Sequence, residues 1–427
     1  MMTADTRIPD EWARNLVDPA AYADERLHET YTWLRANQPL GWAELEGFDP
    51  FWVVTKHADI LDISRQNALF HSGDVSTTLT TRAREERARA MTGGSPHLVR
   101  SLVQMDAPDH MKYRLLTQRW FQPSNVRKLE DDIRRIAAKV VANMIARDGR
   151  CDFVADVALG YPLHVIMSIL GVPEADEPRM LKLTQELFAS ADPDVSPETA
   201  ALPPEMFMKA IGAVIADYER YFSNISAARR ANPGEDLATV IANAEVDGKP
   251  ISDVEAMGYY FLIATAGHDT TSSTIAGALW VLAERPSILA RVQADPSLIP
   301  GLVDEAIRWT SPVKTFMRSA TEGTELRGRR ISRGDRLMLC YASGNRDEEV
   351  FEAPFEFRIE RNPNKQLAFG YGAHMCLGQH LAKMEIRILF EALLPRLGSL
   401  ALDGDPALIA SCFVNGPKTL PIRFEMA

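Results

Sequence analysis

Three glycines surround one cysteine in the run Phe369-Gly370-Tyr371-Gly372-Ala373-His374-Met375-Cys376-Leu377-Gly378. Behind it Leu381, Met384, Ile388, Leu389 and Ala392 recur at helical spacing, which puts Cys376 just before a helix N-terminus. Unpaired N–H groups and the helix dipole there favour a thiolate over a thiol, and a thiolate binds a metal. Rival motifs fail on spacing. A dinucleotide loop starting at Gly370 needs glycine where Met375 stands, and a phosphate loop needs lysine where Gln379 stands. A c-type haem attachment needs a second cysteine before His380, and there is none. Two other readings stay open on the residues alone. One is an inert cysteine in a glycine-rich turn; the other is a zinc hydrolase centre of His374, Cys376 and His380, although no His-Glu-x-x-His helix accompanies it.

A second polar group, Ala266-Gly267-His268-Asp269-Thr270-Thr271, follows the most apolar stretch of the chain. Ala266 and Gly267 share a helix face with Thr270, so small side chains leave room beside its hydroxyl. The plainer reading is that Thr270 bonds back to the Ala266 carbonyl while Asp269 meets a surface arginine. Glu305 and Arg308 form a third group, on a helix whose apolar face is Leu302, Val303, Ala306 and Ile307. Taken alone, an i,i+3 pair is a common exposed feature worth about 0.2–0.5 kcal/mol. Finally, Lys112, Arg114, Arg119, Arg127 and Lys128 make a basic island with no acidic residue between 110 and 129. Such an island is either a solvated face or a surface that steers an acidic electron carrier.

These groups need elements to hold them. Ser252-Asp253-Val254-Glu255 has capping-box spacing and Pro286 cannot continue a helix, so one helix is predicted over residues 252–285, about 51 Å long. Apolar on nearly every face, it should cross the interior of a large molecule. A second helix is predicted over 124–146, opening on Ser124, and strands over 51–55, 336–341 and 420–424. No repeat or linker divides the 427 residues, so a single domain over 1–427 is expected. With 47 Lys+Arg against 58 Asp+Glu, a net charge of −11 disfavours nucleic acid as a partner. Cys151, Cys340, Cys376 and Cys412 are too few for a disulfide scaffold, and residues 1–10 lack an apolar signal region. No apolar run reaches the roughly 20 residues of a membrane span. A cytoplasmic protein is expected.

Taken together, Phe369, Gly370, Gly372, His374, Cys376 and Gly378 resemble the haem-binding signature of the cytochrome P450 superfamily. The resemblance implies a mainly α fold with a small β region, the triangular helical haem-thiolate domain, and heme b (iron protoporphyrin IX) as cofactor. It implies Cys376 as the iron ligand, with Phe369, Gly370, Gly378 and Ala266 against the haem. His110, Arg114, Arg318 and His374 would hold its propionates. By the same resemblance Asp269 feeds protons and Thr270 steadies dioxygen, while Glu305, Arg308 and Arg361 brace the structure.

The reaction implied places one atom of O2 into an unactivated C–H bond and releases the other as water, using two electrons and two protons. The chain shows no flavin or nicotinamide segment, so a ferredoxin and an NAD(P)H-dependent ferredoxin reductase would supply the electrons. Leu262, Thr265, Ala266, Val313, Phe316, Phe413 and Val414 would meet the substrate. They are mostly apolar, which points to a small hydrophobic molecule, a monoterpene or alkyl-aromatic. Lys314 is the neighbour whose ammonium, if it entered the pocket, would select an acid instead. Residues 298–318 and 369–395 resemble in wording the soluble bacterial members that hydroxylate terpineol-like monoterpenes. A non-catalytic haem-thiolate gas sensor or carrier is the alternative, and it would have no use for Asp269 and Thr270.

Overall fold

The computed structural model describes residues 6–24, 26–188, 192, 194 and 202–427, so the first five residues of the N-terminal reading lie outside it. Helices account for about 54% of the structure, as the mainly α expectation requires. Those that matter for the site are α1 Asp109–Gln118, α2 Glu130–Ile145, α3 Gly160–Leu170, α4 Glu177–Phe188, α5 Pro204–Ala231, α6 Asp253–Ala266, α7 Asp269–Glu284, α8 Ile299–Thr310 and α9 Gln379–Leu393. Their apolar faces meet in one cluster that includes Val141, Met167, Tyr260, Leu279, Ala306 and Leu389. Helix α7 lies within it, against α3, α8 and α9. Among the described residues no helix is long and apolar enough to cross a membrane.

The strands of the two larger sheets are β1 Leu40–Ala43, β2 Phe51–Val54, β3 Phe70–His71, β4 Arg150–Asp152, β5 Thr315–Ala320, β6 Arg336–Cys340, β7 Leu397–Leu402 and β8 Pro421–Met426. Five of them form a sheet in the order β1-β2-β6-β5-β3, and a second sheet has the order β7-β8-β4. Central β6 runs parallel to β2 and antiparallel to β5, with Leu337 opposite both Trp52 and Arg318. Alternate residues serve two cores: Phe51, Val53 and Met338 join one apolar cluster, Trp52, Val54 and Leu337 another. The three predicted strands are present with small shifts. Thr55 lies outside β2, Tyr341 opens a short helix instead of ending β6, and the last strand starts at Pro421.

Two helix predictions need correction. The helix predicted over 252–285 is two, α6 and α7, parted at Gly267 and His268. Its start is as predicted: Ser252 caps α6 and the Glu255 carboxylate accepts from the Ser252 N–H at 2.9 Å. Two side-chain bonds flank the break. Thr270 Oγ1 donates to the Ala266 carbonyl at 3.1 Å and Thr271 Oγ1 to the Gly267 carbonyl at 3.3 Å, so side chains compete for acceptors a continuous helix would use. The second correction concerns residues 124–146. There Pro123 takes the first helical position, a short turn over Pro123–Val126 leads into a tighter turn over Arg127–Leu129, and α2 proper starts at Glu130. Ser124 caps nothing, because Pro123 already fixes the helical φ one residue earlier.

Candidate functional site

The cysteine loop is shaped by backbone that favours glycine at its turn. Gly370 and Gly372 have φ of 68° and 70°. A Cβ on Gly372 would also overlap the Ser64 carbonyl oxygen. The Cys376 N–H donates to the Phe369 carbonyl at 2.8 Å, which closes the loop, and Gly378 occupies the cap position of α9. Cys376 therefore sits just ahead of a helix, as predicted, and is exposed when the chain is taken alone. The dipole argument does not carry the thiol to thiolate in the protein alone. Protein packed round the sulfur raises its pKa, and the Gly378 and Gln379 N–H groups with Arg114 only partly offset this.

Four basic groups gather beside the loop. His110 and Arg114 stand one turn apart on α1, Arg318 on β5 and His374 in the loop itself. The His110 and His374 rings lie 4.2 Å apart, and Arg114 Nη2 donates to the Met375 carbonyl at 2.7 Å. Buried Arg318 donates to the carbonyl of its own neighbour Met317 at 2.7 Å. Buried His110 Nδ1 has no partner. Among the described residues none of the four forms a salt bridge. Burial first, then Arg318, His110 and Arg114, hold His374 down to about 2; burial likewise lowers His110 and Arg114. Two guanidiniums, Arg114 and buried Arg318, beside two imidazoles able to donate and with no paired carboxylate, make an incomplete set. Two propionates would complete it, so these residues fit a haem.

On the distal side, Ala266 is exposed although Ile263, Ala264, Thr265 and His268 around it are buried, so the end of α6 borders a hollow. The Thr270 back-bond of the plainer reading is present. The surface arginine is not: Asp269 Oδ1 lies 3.1 Å from Nε2 of fully buried His268. The proposed substrate wall comes together in part. Val313 bridges Val414, the Lys314 N–H donates to the Phe413 carbonyl at 2.8 Å, and the Phe316 and Phe413 rings lie 5.4 Å apart. Leu262, Thr265 and Ala266 share α6, where Thr265 Oγ1 is spent on the Phe261 carbonyl at 2.6 Å. Lys314 enters neither the pocket nor solvent. Its ammonium donates to the Tyr22 carbonyl at 2.6 Å, and burial lowers its pKa to about 7.

Glu305 and Arg308 are not the exposed pair their spacing suggests. Both are fully buried, joined at 2.7 Å, and Arg361 Nε reaches Glu305 Oε2 at 3.2 Å. The zinc reading fails on geometry. Among the described residues the one His/Cys/Asp/Glu group whose ligand atoms lie within 4.8 Å of one another is His71, Asp74 and Asp106, far in sequence from Cys376. Sequence reasoning passed over two side chains that the structure places at the site: His268 against Asp269, and Ser72, whose Oγ lies 3.3 Å from His374 Nε2. A histidine in the middle of an apolar helix was the available signal for the first; nothing marked the second.

An exposed cysteine ahead of a helix, cations awaiting carboxylates and a helix opened opposite small residues define a haem-thiolate class of protein. The chain belongs to the cytochrome P450 family, whose model, Cytochrome P450, matches residues 74–418. It is 50% identical to Cytochrome P450-terp of a Pseudomonas species over 100% of both chains. A Steroid C26-monooxygenase of Mycolicibacterium smegmatis is 33% identical over 96% of each. Among solved structures, CYP108D1 of Novosphingobium aromaticivorans superposes with a TM-score of 0.91 at 46% identity, covering 99% of this chain and 100% of that one. The chain is thus a P450 monooxygenase with the P450 fold, and its family binds haem through a cysteine thiolate. Nothing among these relatives supports the gas-sensor alternative.

Proposed function

We propose that this chain acts as one unit, in the cytoplasm, to hydroxylate an unactivated C–H bond of a compact apolar molecule, a monoterpene or alkyl-aromatic. Haem, when bound, supplies the reduction of dioxygen and the oxidation of the C–H bond. Cys376 would hold it from one side, and His110, Arg114, Arg318 and His374 would take its carboxylates. Ala266 leaves space above it. Thr270 offers a hydroxyl there, and Asp269, its neighbour in the chain, would pass protons toward it. Val313, Phe316, Phe413 and Val414 orient the substrate by excluding water and burying apolar area, worth about 25 cal/mol per Å².

The observation that carries the substrate reading is the direction of Lys314. Its ammonium is bound at Tyr22, so the Lys314 charge stays away from the Phe316–Phe413 wall, and the one guanidinium described beside it, Arg318 at 5.9 Å from the Phe316 ring, is assigned above to the propionates. The name of the Pseudomonas relative, Cytochrome P450-terp, agrees with a terpene. For electrons we propose a ferredoxin with an NAD(P)H-dependent reductase. The basic island that would receive it is narrower than the sequence suggests. Lys112 pairs with Asp247 at 2.6 Å and Arg114 turns to the loop, which leaves Arg119, Arg127 and Lys128. The test is a binding titration of the haem-loaded protein with a monoterpene, with p-cymene and with the matching carboxylic acid. The neutral members should displace water and shift the absorption spectrum to high spin. A shift with the acid alone would overturn the apolar reading.

A further inference from the structure

One imidazole in the described molecule is surrounded by acceptors alone. His268 is fully buried. Its Nδ1 lies 3.2 Å from the Ala264 carbonyl oxygen, which has no hydrogen to give. Its Nε2 lies 3.1 Å from Asp269 Oδ1 and 3.3 Å from Thr184 Oγ1, a side chain of α4. The Thr184 hydroxyl hydrogen has nearer acceptors, the carbonyls of Leu181 at 2.9 Å and Met180 at 3.1 Å, so toward the imidazole it presents a lone pair.

A neutral imidazole carries one N–H. With neutral His268 and ionised Asp269, one ring nitrogen would point its lone pair at another lone pair in the interior, at the cost of an unmade buried hydrogen bond. One added proton removes the conflict. Both nitrogens then donate, or the carboxyl donates to Nε2.

We propose that His268 and Asp269 together hold one proton more than a neutral imidazole and a free carboxylate would, and that this pair is the store from which the proton passed toward Thr270 is drawn. The proposal rests on the placing of Asp269 and Thr270 at the oxygen side of the site and deepens it. His268 is a positioning residue, because it touches Asp269 and not the reacting atoms.

The store has a means of refilling. Asp269 also borders a cavity of about 70 Å³ lined by Ser272, Ser273, Ile409, Val414 and Lys418. That volume admits water, and the hydroxyls and the ammonium give it partners. The Lys418 ammonium is held by buried Asp192 at 3.1 Å and by exposed Asp194 at 2.6 Å, so the cavity adjoins the surface. Among the described residues a further titratable group near Asp269 is Tyr218 on α5, a buried phenol that burial and the Asp269 charge keep protonated. Each turnover step removes one proton from the pair and returns one from cavity water. Only N–H and O–H bonds change, and no electron moves. The direction of the His268 titration agrees: burial disfavours the imidazolium, but Asp269 more than offsets it and raises the pKa.

The test begins on the resting, haem-loaded protein. Histidine ¹⁵N spectra, with the His268 signal assigned by its loss in His268→Gln, should show both ring nitrogens protonated at neutral pH. Otherwise the infrared spectrum should show a carboxylic acid band that disappears in Asp269→Asn. Either signature supports the store. A singly protonated His268 with no such band overturns it; both signatures are read on the parent protein, and the variants serve only to assign them. In turnover, His268→Gln should slow product formation about tenfold and raise the solvent deuterium effect, while the substrate-induced spectral shift keeps its parental midpoint. Slow turnover in Asp269→Asn with parental turnover in His268→Gln overturns the store alone. Parental turnover in Asp269→Asn overturns both the store and the role of Asp269.

Discussion

The cluster around Glu305 and the cluster around His268 are both buried and polar, and they are provisioned in opposite ways. Glu305 accepts from Arg308 at 2.7 and 2.8 Å, from Arg361 at 3.2 Å, from the Arg358 N–H at 2.8 Å and from Asn364 at 3.0 Å. The rest of the Arg308 fork reaches the carbonyls of Asn345, Pro354 and Glu356. Every guanidinium nitrogen of Arg308 and Arg361 has an acceptor, and at the edge of the cluster the Asn364 Oδ1 is left without a donor. At His268 acceptors outnumber hydrogens, and the helix that carries it is opened. A network with its charges paired fixes geometry, whereas an unbalanced one has a proton that can move. The first suits a scaffold, and the second suits the proton transfer proposed for it.

The contrast is most easily broken at Glu305. Glu305→Ala leaves Arg308 and Arg361 buried without their counter-charge, so a loss of about 3–5 kcal/mol is expected in denaturant unfolding. A loss below about 1 kcal/mol would remove the distinction between the clusters. At the other cluster the expected effects are on rate. Asp269→Asn should slow turnover on the order of 10²-fold, while Thr270→Ala should keep consuming reductant and send more of it to hydrogen peroxide. A parental peroxide yield in Thr270→Ala would return its hydroxyl to the plain helical back-bond.

The cation cluster by the cysteine loop sharpens the comparison, since it is unbalanced in charge. Arg318→Leu should release haem about tenfold faster, yet leave the haem-free protein as stable as the parent or more so, because one of two like charges is gone. A destabilised haem-free variant would mean that Arg318 has a partner in the chain itself. The smallest effect expected is at Glu85, a second well-provisioned carboxylate. Burial alone would raise its pKa, but Arg336 and Arg89 outweigh burial and hold it at about 2 against an ordinary 4.5. Its contribution is therefore present above about pH 4.5 and lost as pH falls toward 2. Urea unfolding across that range should fall less steeply in Glu85→Gln than in the parent; equal slopes would place the acid lability elsewhere.

What could be read from the residues was what local sterics decide. Gly370 and Gly372 announce a loop because glycine takes a positive φ without steric cost, and the Ser252–Glu255 box announces the start of α6 because both of its bonds are local. The break at Gly267 and His268 was not legible. Whether Thr270 and Thr271 hydroxyls take the carbonyls of the preceding turn depends on what packs around them. Spacing put Glu305 beside Arg308 but could not say that both are sealed from water, since Arg361 and the Pro354 carbonyl come from elsewhere in the chain. Lys314 likewise gave no sign of its direction, because Tyr22, its partner, is 292 residues away.

The central claim is that Cys376 holds the haem as a thiolate. Cys376→Ser, loaded with haem, reduced and exposed to carbon monoxide, should lack the long-wavelength Soret band that the parent shows, while Cys340→Ser, altered at a buried cysteine elsewhere, should keep it. Retention of that band in Cys376→Ser would contradict the account.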